Sequence, residues 1–147
     1  MVEIMISIKP KWVDKIFRLI KSFELRKDMP KCKPPFRCFI YQTENGGVVG
    51  EFTCDQVEQS CIFDITEDWL KDTCVSYDEA ARYLKDGPFL YKWRIRSIIE
   101  YQEPRPLSQY GLDRPPQSWC YVNTQWKKVE GVRVENGQII IEPKGGN

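Results

Sequence analysis

The hydrophobic positions change period along the chain, and each change predicts an element. Val2–Ile8 is an apolar run with β-branched residues, which predicts a strand. Pro10 follows, suited to the first turn of a helix, where a missing N–H costs nothing. Trp12, Val13, Ile16, Phe17 and Ile20 then recur at helical spacing, opposite Lys11, Asp14, Lys15 and Arg18, so an amphipathic helix is expected with that stripe in a core. From Ser22 the period shortens to two. Phe23 and Leu25 point one way, while Ser22, Glu24 and Arg26 point the other, with Lys21 at the turn before them.

Farther along, Arg37–Thr43 and Val48–Cys54 read as strands joined around Asn45-Gly46-Gly47, a hairpin signal. Gly50 inside the second strand predicts a bulge or a close backbone approach. Strand character resumes around Glu58–Phe63, and Thr66–Leu70 has the look of an acidic helix start. Ser76-Tyr77-Asp78-Glu79 is a capping-box pattern opening a helix that Gly87-Pro88 stops. Leu90–Tyr101 alternates Tyr91, Trp93 and Ile95 with Lys92, Arg94 and Arg96, a strand with one buried and one basic face. Leu107–Gly111 predicts a short helical turn, and Pro115-Pro116-Gln117-Ser118 a loop leading into Cys120–Val122. A final hairpin is expected over Gly131–Glu135 and Gln138–Glu142, turning at Asn136-Gly137. Strands predominate without a regular β–α alternation, so the class is α+β with a small, mostly antiparallel sheet.

At 147 residues the chain is one domain by size. No apolar run approaches the ~20 residues of a membrane helix, and no signal-peptide pattern opens the chain, so a cytoplasmic protein without membrane contact is expected. The six cysteines form no C-x-x-C pair and there is no histidine, which removes Cys/His zinc sites and argues for buried free thiols rather than metal or disulfides. The missing histidine also excludes Ser-His-Asp and Cys-His catalysis, leaving Lys, carboxylate, Tyr or Cys for any chemistry. No motif calls for a cofactor. Net charge is +1, but its distribution is uneven. Residues 1–50 hold ten Lys and Arg against five acidic residues, and residues 51–90 hold ten acidic against three basic. A positive lobe suits a phosphate backbone, and an ordinary solvated surface looks the same. The proline-rich loop 27–36 adds Lys27, Lys31 and Lys33 to that lobe.

Lys21, Glu24 and Arg26 raise two readings. One is a solvated strand face carrying an ordinary ion pair. The other is a site, because the stretch resembles the ASCH signature G-x-K-x-x-E-x-R, with Leu19 where the family usually has glycine. Met5–Pro10, Val49–Phe52, Pro106–Ser108 and Pro115–Ser118 are also similar to ASCH segments and occur in the family's order, so the resemblance covers the chain to about residue 122. It implies a PUA-like β-barrel with two to three flanking helices over residues 1–122, with residues 123–147 as a C-terminal hairpin extension packed on the same domain.

The resemblance further implies RNA or a modified nucleoside as partner, in a cleft lined by Lys21, Glu24 and Arg26. Lys9, Lys27, Tyr41, Glu51, Gln117 and Ser118 are the other candidate ligand-binding residues. Arg offers bidentate contact to phosphate or a base edge, and Tyr41 or Trp119 a surface for stacking, although Trp119 reads more simply as core. Some ASCH proteins deacetylate N4-acetylcytidine and one is linked to RNA cleavage, so a hydrolase using Lys21, Glu24 and Arg26 is the alternative. In the deacetylating branch a threonine stands at the Glu24 position, and a separate later glutamate aligns near Thr73, so this chain departs from that pattern twice. A protein-interaction adaptor acting through the acidic middle segment is the third reading.

Overall fold

The computed structural model describes residues 1–122 together with the backbone of residues 132–135 and 138–141. Its elements run β1 (Glu3–Ile8), α1 (Pro10–Phe17), β2 (Phe23–Arg26), β3 (Phe36–Gln42), β4 (Gly47–Cys61), a 3-10 turn (Ile62–Asp64), α2 (Tyr77–Leu84), β5 (Phe89–Arg105), a 3-10 turn (Leu107–Tyr110), β6 (Trp119–Tyr121), β7 (Val132–Glu135) and β8 (Gln138–Ile141). Six strands form one sheet in the order β2-β5-β4-β3-β1-β6, and β7 and β8 pair antiparallel by themselves. Only β1 and β3 run parallel within the larger sheet. The Asn136-Gly137 turn and the packing of the hairpin on the domain lie outside the described residues.

The long strands β4 and β5 slip register near Val48/Gly50, Glu51/Thr53 and Cys54/Val57. Such irregularities bend and twist a ladder, and here they curl the sheet into a half-barrel. Gly50 sits at one of them. A Cβ there would lie 2.4 Å from the Ile99 carbonyl oxygen and 2.7 Å from the Phe17 ring, so the missing side chain lets α1 rest on the sheet. The core between them holds Ile4, Ile6, Ile8, Val13, Ile16, Ile40, Phe52 and Trp93.

Among the described residues β2 and β6 are the open edges of the sheet. The loop after β2 bridges them. The Trp93 Nε1–H donates to the Asp28 carbonyl (3.2 Å), the Trp119 Nε1–H to Asp28 Oδ1 (2.8 Å), and the Lys31 N–H to the Tyr121 hydroxyl (2.8 Å). Trp119 also packs edge-on against Trp93 and Tyr121, so it is structural rather than a free stacking surface.

Three expectations need correcting. The helical stripe ends before Ile20, which is 48% exposed, because α1 stops at Phe17. Thr66–Leu70 begins a series of turns rather than a helix, and left-handed Asp72 and Cys74 (φ 67° and 63°) prevent one from propagating. The basic face of β5 is neutralised: Lys92 is buried and donates to the Trp69 carbonyl (2.8 Å), while Arg94 forks onto Asp55. The six cysteines are free, with Cys38 and Cys54 buried. Burial pushes both thiols up, Cys54 to about 12, which suits inert core packing. No described helix is long and apolar enough to cross a membrane.

Candidate functional site

The site starts with the way α1 ends. The Leu19 N–H bonds the Ile16 carbonyl (3.0 Å) and the Ile20 N–H the Lys15 carbonyl (2.9 Å), the paired bonds of a Schellman C-cap. That cap needs a left-handed residue, and Leu19 has φ 62°. Position 19 is where the ASCH signature usually has glycine, and the geometry supplies the reason. The cap reverses the chain so that Lys21 turns back beneath the helix and Phe23 can enter β2.

In β2, alternation then sends Glu24 and Arg26 to one side. Glu24 is the centre. Its Oε1 lies 3.2 Å from Lys21 Nζ and its Oε2 2.6 Å from an Arg26 terminal nitrogen. Lys21, Glu24 and Arg26 are only 1%, 5% and 9% exposed, so the solvated-face reading is excluded. Lys21 also donates to the Thr73 carbonyl (2.5 Å), and its ammonium sits 5.0 Å from the centre of the Trp12 ring. Arg26 donates to the Ser7 carbonyl (2.9 Å) and to Ser118 Oγ (3.0 Å). Those bonds tie the β2 edge to the end of β1 and to the residue preceding β6, a side-chain closure of the half-barrel.

Burial alone would raise the Glu24 carboxyl. The charges of Lys21 and Arg26, with their hydrogen bonds, outweigh it and hold the group below the usual carboxylate range. Glu24 is therefore ionised at neutral pH with both oxygens engaged, which suits a fixed electrostatic floor better than a shuttling proton.

Above this floor opens a cavity of about 310 Å³. Ser7, Lys9, Thr43 and Gln117 line one part of it, Lys11 and Trp12 come from α1, and Val75, Glu79 and Tyr83 come from α2 and the segment before it. Glu79 completes the capping box expected at Ser76: the Ser76 N–H donates to its carboxylate (3.2 Å) and the Glu79 N–H to Ser76 Oγ (3.2 Å). The Ser76 backbone bond is the main reason that its carboxyl stays low. Burial pushes the Tyr83 phenol up.

Of the residues singled out from sequence, Lys9, Lys21, Glu24, Arg26 and Gln117 line this one cavity. Lys27 is not in the lining, but its ammonium sits 4.8 Å from the centre of the ring of Tyr83, which is. Ser118 lies behind the lining and holds Arg26. Tyr41 and Glu51 lie elsewhere. Tyr41 projects from β3 on the face opposite Cys38 and Ile40, into a second cluster with Met5, Phe39, Val48, Tyr101 and Tyr110. Glu51 is buried, with Arg37 Nε 3.7 Å from its Oε2.

Sequence reasoning missed Trp12, Glu79, Tyr83 and Thr73. Trp12 read as part of a core stripe, although the flanking Lys9 and Lys11 set it apart from Val13 and Ile16. Glu79 read as a cap, which it also is. Nothing local marks Tyr83, or the Thr73 carbonyl that receives Lys21. Among the described residues no cluster of side chains is suited to hold a metal ion.

Comparison with known proteins agrees on the fold. The crystal structure of ASCH from Zymomonas mobilis superimposes with a TM-score of 0.74 at 18% identity, covering 86% of this chain and 91% of that one. A tyrosine-to-phenylalanine variant of the same protein gives 0.73 at 19% identity, covering 86% and 94%. The chain has the ASCH-type fold that the Lys21/Glu24/Arg26 stretch leads one to expect. No family model matches it. Among curated proteins it is similar to large ribosomal subunit protein uL22 of Ureaplasma parvum, 29% identical over 121 residues. That alignment takes in 81% of this chain but spans only 39% of the ribosomal protein's length.

Proposed function

We propose that this domain binds RNA or a modified nucleoside by admitting one base into the cavity above Lys21, Glu24 and Arg26. The observation that carries the reading is the pairing, in one 310 Å³ hollow, of two aromatic side chains with a rigid charged floor. The volume lies at the small end of ligand sites, which suits a single nucleoside. Trp12 and Tyr83 offer surfaces for stacking, the commonest way a protein holds an unpaired base. Gln117 and Glu79 supply an amide and a carboxylate for its polar edge. The Ureaplasma relative is a ribosomal protein, which fits an RNA setting for a similar segment.

Filter binding with mixed-sequence single-stranded RNA and titration with ribonucleosides test this reading. Trp12→Ala is expected to weaken binding roughly 5- to 150-fold, the loss of one stacked base at ~1–3 kcal/mol. No binding at low salt, or equal binding by the variant, overturns it.

A hydrolase is the second reading, favoured by one observation: Glu79 is a second carboxylate in the cavity that holds Lys21. Unlike Glu24, it is not locked between two cations, so it is the better candidate to orient water. Incubation with N4-acetylcytidine decides the matter. Release of cytidine, lost in Glu79→Gln, supports turnover, and its absence leaves binding alone.

A further inference from the structure

The cavity contains more cations than its floor uses. Its lining includes Lys9, Lys11, Lys21 and Arg26 against Glu24 and Glu79, while the whole chain carries a net charge of only +1. Two of the four cations already bond to neighbouring groups of the chain. Lys21 and Arg26 are buried, share Glu24, and donate to the Thr73 and Ser7 carbonyls and to Ser118, while the buried Arg26 Nε has no hydrogen-bond partner. A phosphate at the floor would have to compete with those bonds.

Lys9 and Lys11 are different. Both are exposed, stand at the junction of β1 and α1, and join no ion pair among the described residues. The Lys11 ammonium lies 4.5 Å from the centre of the Trp12 ring. Lys27 matches them from another element. It is exposed just beyond β2 and sits over Tyr83 at 4.8 Å. Each aromatic side chain of the cavity thus has an exposed lysine beside it, one from the start of α1 and one from the end of β2.

From this arrangement we infer that the ligand is a nucleotide within a single strand rather than a free nucleoside, its base inside the cavity and its flanking phosphates on Lys9 and Lys11 at one rim and Lys27 at the other. The inference rests on the binding reading above and deepens it. Glu79 supports the division: a carboxylate inside the cavity repels phosphate but accepts from base amino and imino groups, so it keeps the backbone at the rim. The buried triad then shapes the floor, and the affinity for charge comes from three lysines that look like ordinary surface residues.

The test is isothermal titration across a range of salt with three probes: a mixed-sequence single-stranded RNA 9-mer, the four ribonucleosides, and their 5′-monophosphates. For the 9-mer, three phosphate contacts predict a slope of log K against log salt of about −2, and each of Lys9→Ala, Lys11→Ala and Lys27→Ala should flatten it by about 0.7. Monophosphates should bind more tightly than nucleosides, and Arg96→Ala, on β5 beside Asp55, should leave the slope unchanged. Circular dichroism checks that the lysine variants remain folded, as their exposure leads one to expect. Nucleosides binding as tightly as the 9-mer, or a slope unmoved by the lysine variants, overturns this inference while leaving the base site intact. No binding by any probe overturns both.

Discussion

Two charged clusters of nearly the same composition do opposite things in this molecule. Lys21–Glu24–Arg26 is buried. Asp55 with Arg94 and Arg96 is largely exposed, the three side chains being 31–58% accessible. By pair geometry the exposed cluster is the tidier, since Arg94 forks onto Asp55 with bonds of 2.8 and 2.9 Å. Both carboxylates are held low, but for different reasons. In Asp55 the Arg94 hydrogen bonds dominate and there is little burial to overcome. In Glu24 burial opposes, and two cations must outweigh it. What sets the triad apart is its reach into other segments, through Thr73, Ser7 and Ser118. An ion pair seen in isolation therefore says little about its importance; access to water and the remaining partners decide it.

The largest expected effect follows from removing the central charge. Glu24→Gln leaves Lys21 and Arg26 buried with one anion too few, and a broken buried pair typically loses about 3–5 kcal/mol. Urea unfolding measures it, and a loss within 1 kcal/mol would erase the distinction between the clusters. The pH dependence has a definite sign. Because the folded carboxyl is lowered, its contribution is full above the unfolded value of about 4.5 and disappears as pH falls through the folded value. Wild type should lose stability relative to Glu24→Gln only on the acid side of pH 4.5.

Arg26→Lys comes next. It keeps the charge but loses the fork that serves Glu24, Ser7 and Ser118 together. A loss of about 1.5–3 kcal/mol is expected, the range of hydrogen bonds to charged groups. Amide exchange should also quicken in β6 and at the end of β1, the segments that Arg26 holds to β2. Unchanged exchange there would mean that the loop anchored at Asp28 closes the half-barrel without Arg26.

Leu19→Gly should work in the other direction. Leu19 is 77% exposed with φ 62°, so its side chain contributes little packing while the left-handed backbone is strained by about 1–2 kcal/mol. Set against the greater freedom of glycine in the unfolded chain, a net gain of about 0.5–1 kcal/mol is expected by urea unfolding. A loss instead would mean that the leucine stabilises the turn carrying Lys21.

This position also shows what the sequence could disclose. The period-two run placed Glu24 and Arg26 on one face because alternation is local, and Ser76–Glu79 disclosed its cap for the same reason. The missing glycine was visible, but its meaning required the dihedral angle. Trp12, Tyr83 and Thr73 were hidden because long-range packing brings three distant segments over β2. Tyr41 and Glu51 were expected beside the triad, and strand alternation sends Tyr41 to the opposite face of β3 while Glu51 pairs with Arg37.

The smallest effect belongs to the exposed cluster. Arg94→Ala removes two well-formed hydrogen bonds, yet Asp55 keeps Arg96 at 3.7 Å and regains water. Its urea midpoint should shift least of the four variants. Salt makes the contrast sharper: at 1 M the screening length is ~3 Å, so the Arg94→Ala difference should vanish while the Glu24→Gln loss persists, because the triad is almost wholly buried. If both losses fade alike, water and salt reach Lys21–Glu24–Arg26. The cavity floor would then be a mobile surface, and a preformed base site would lose its foundation.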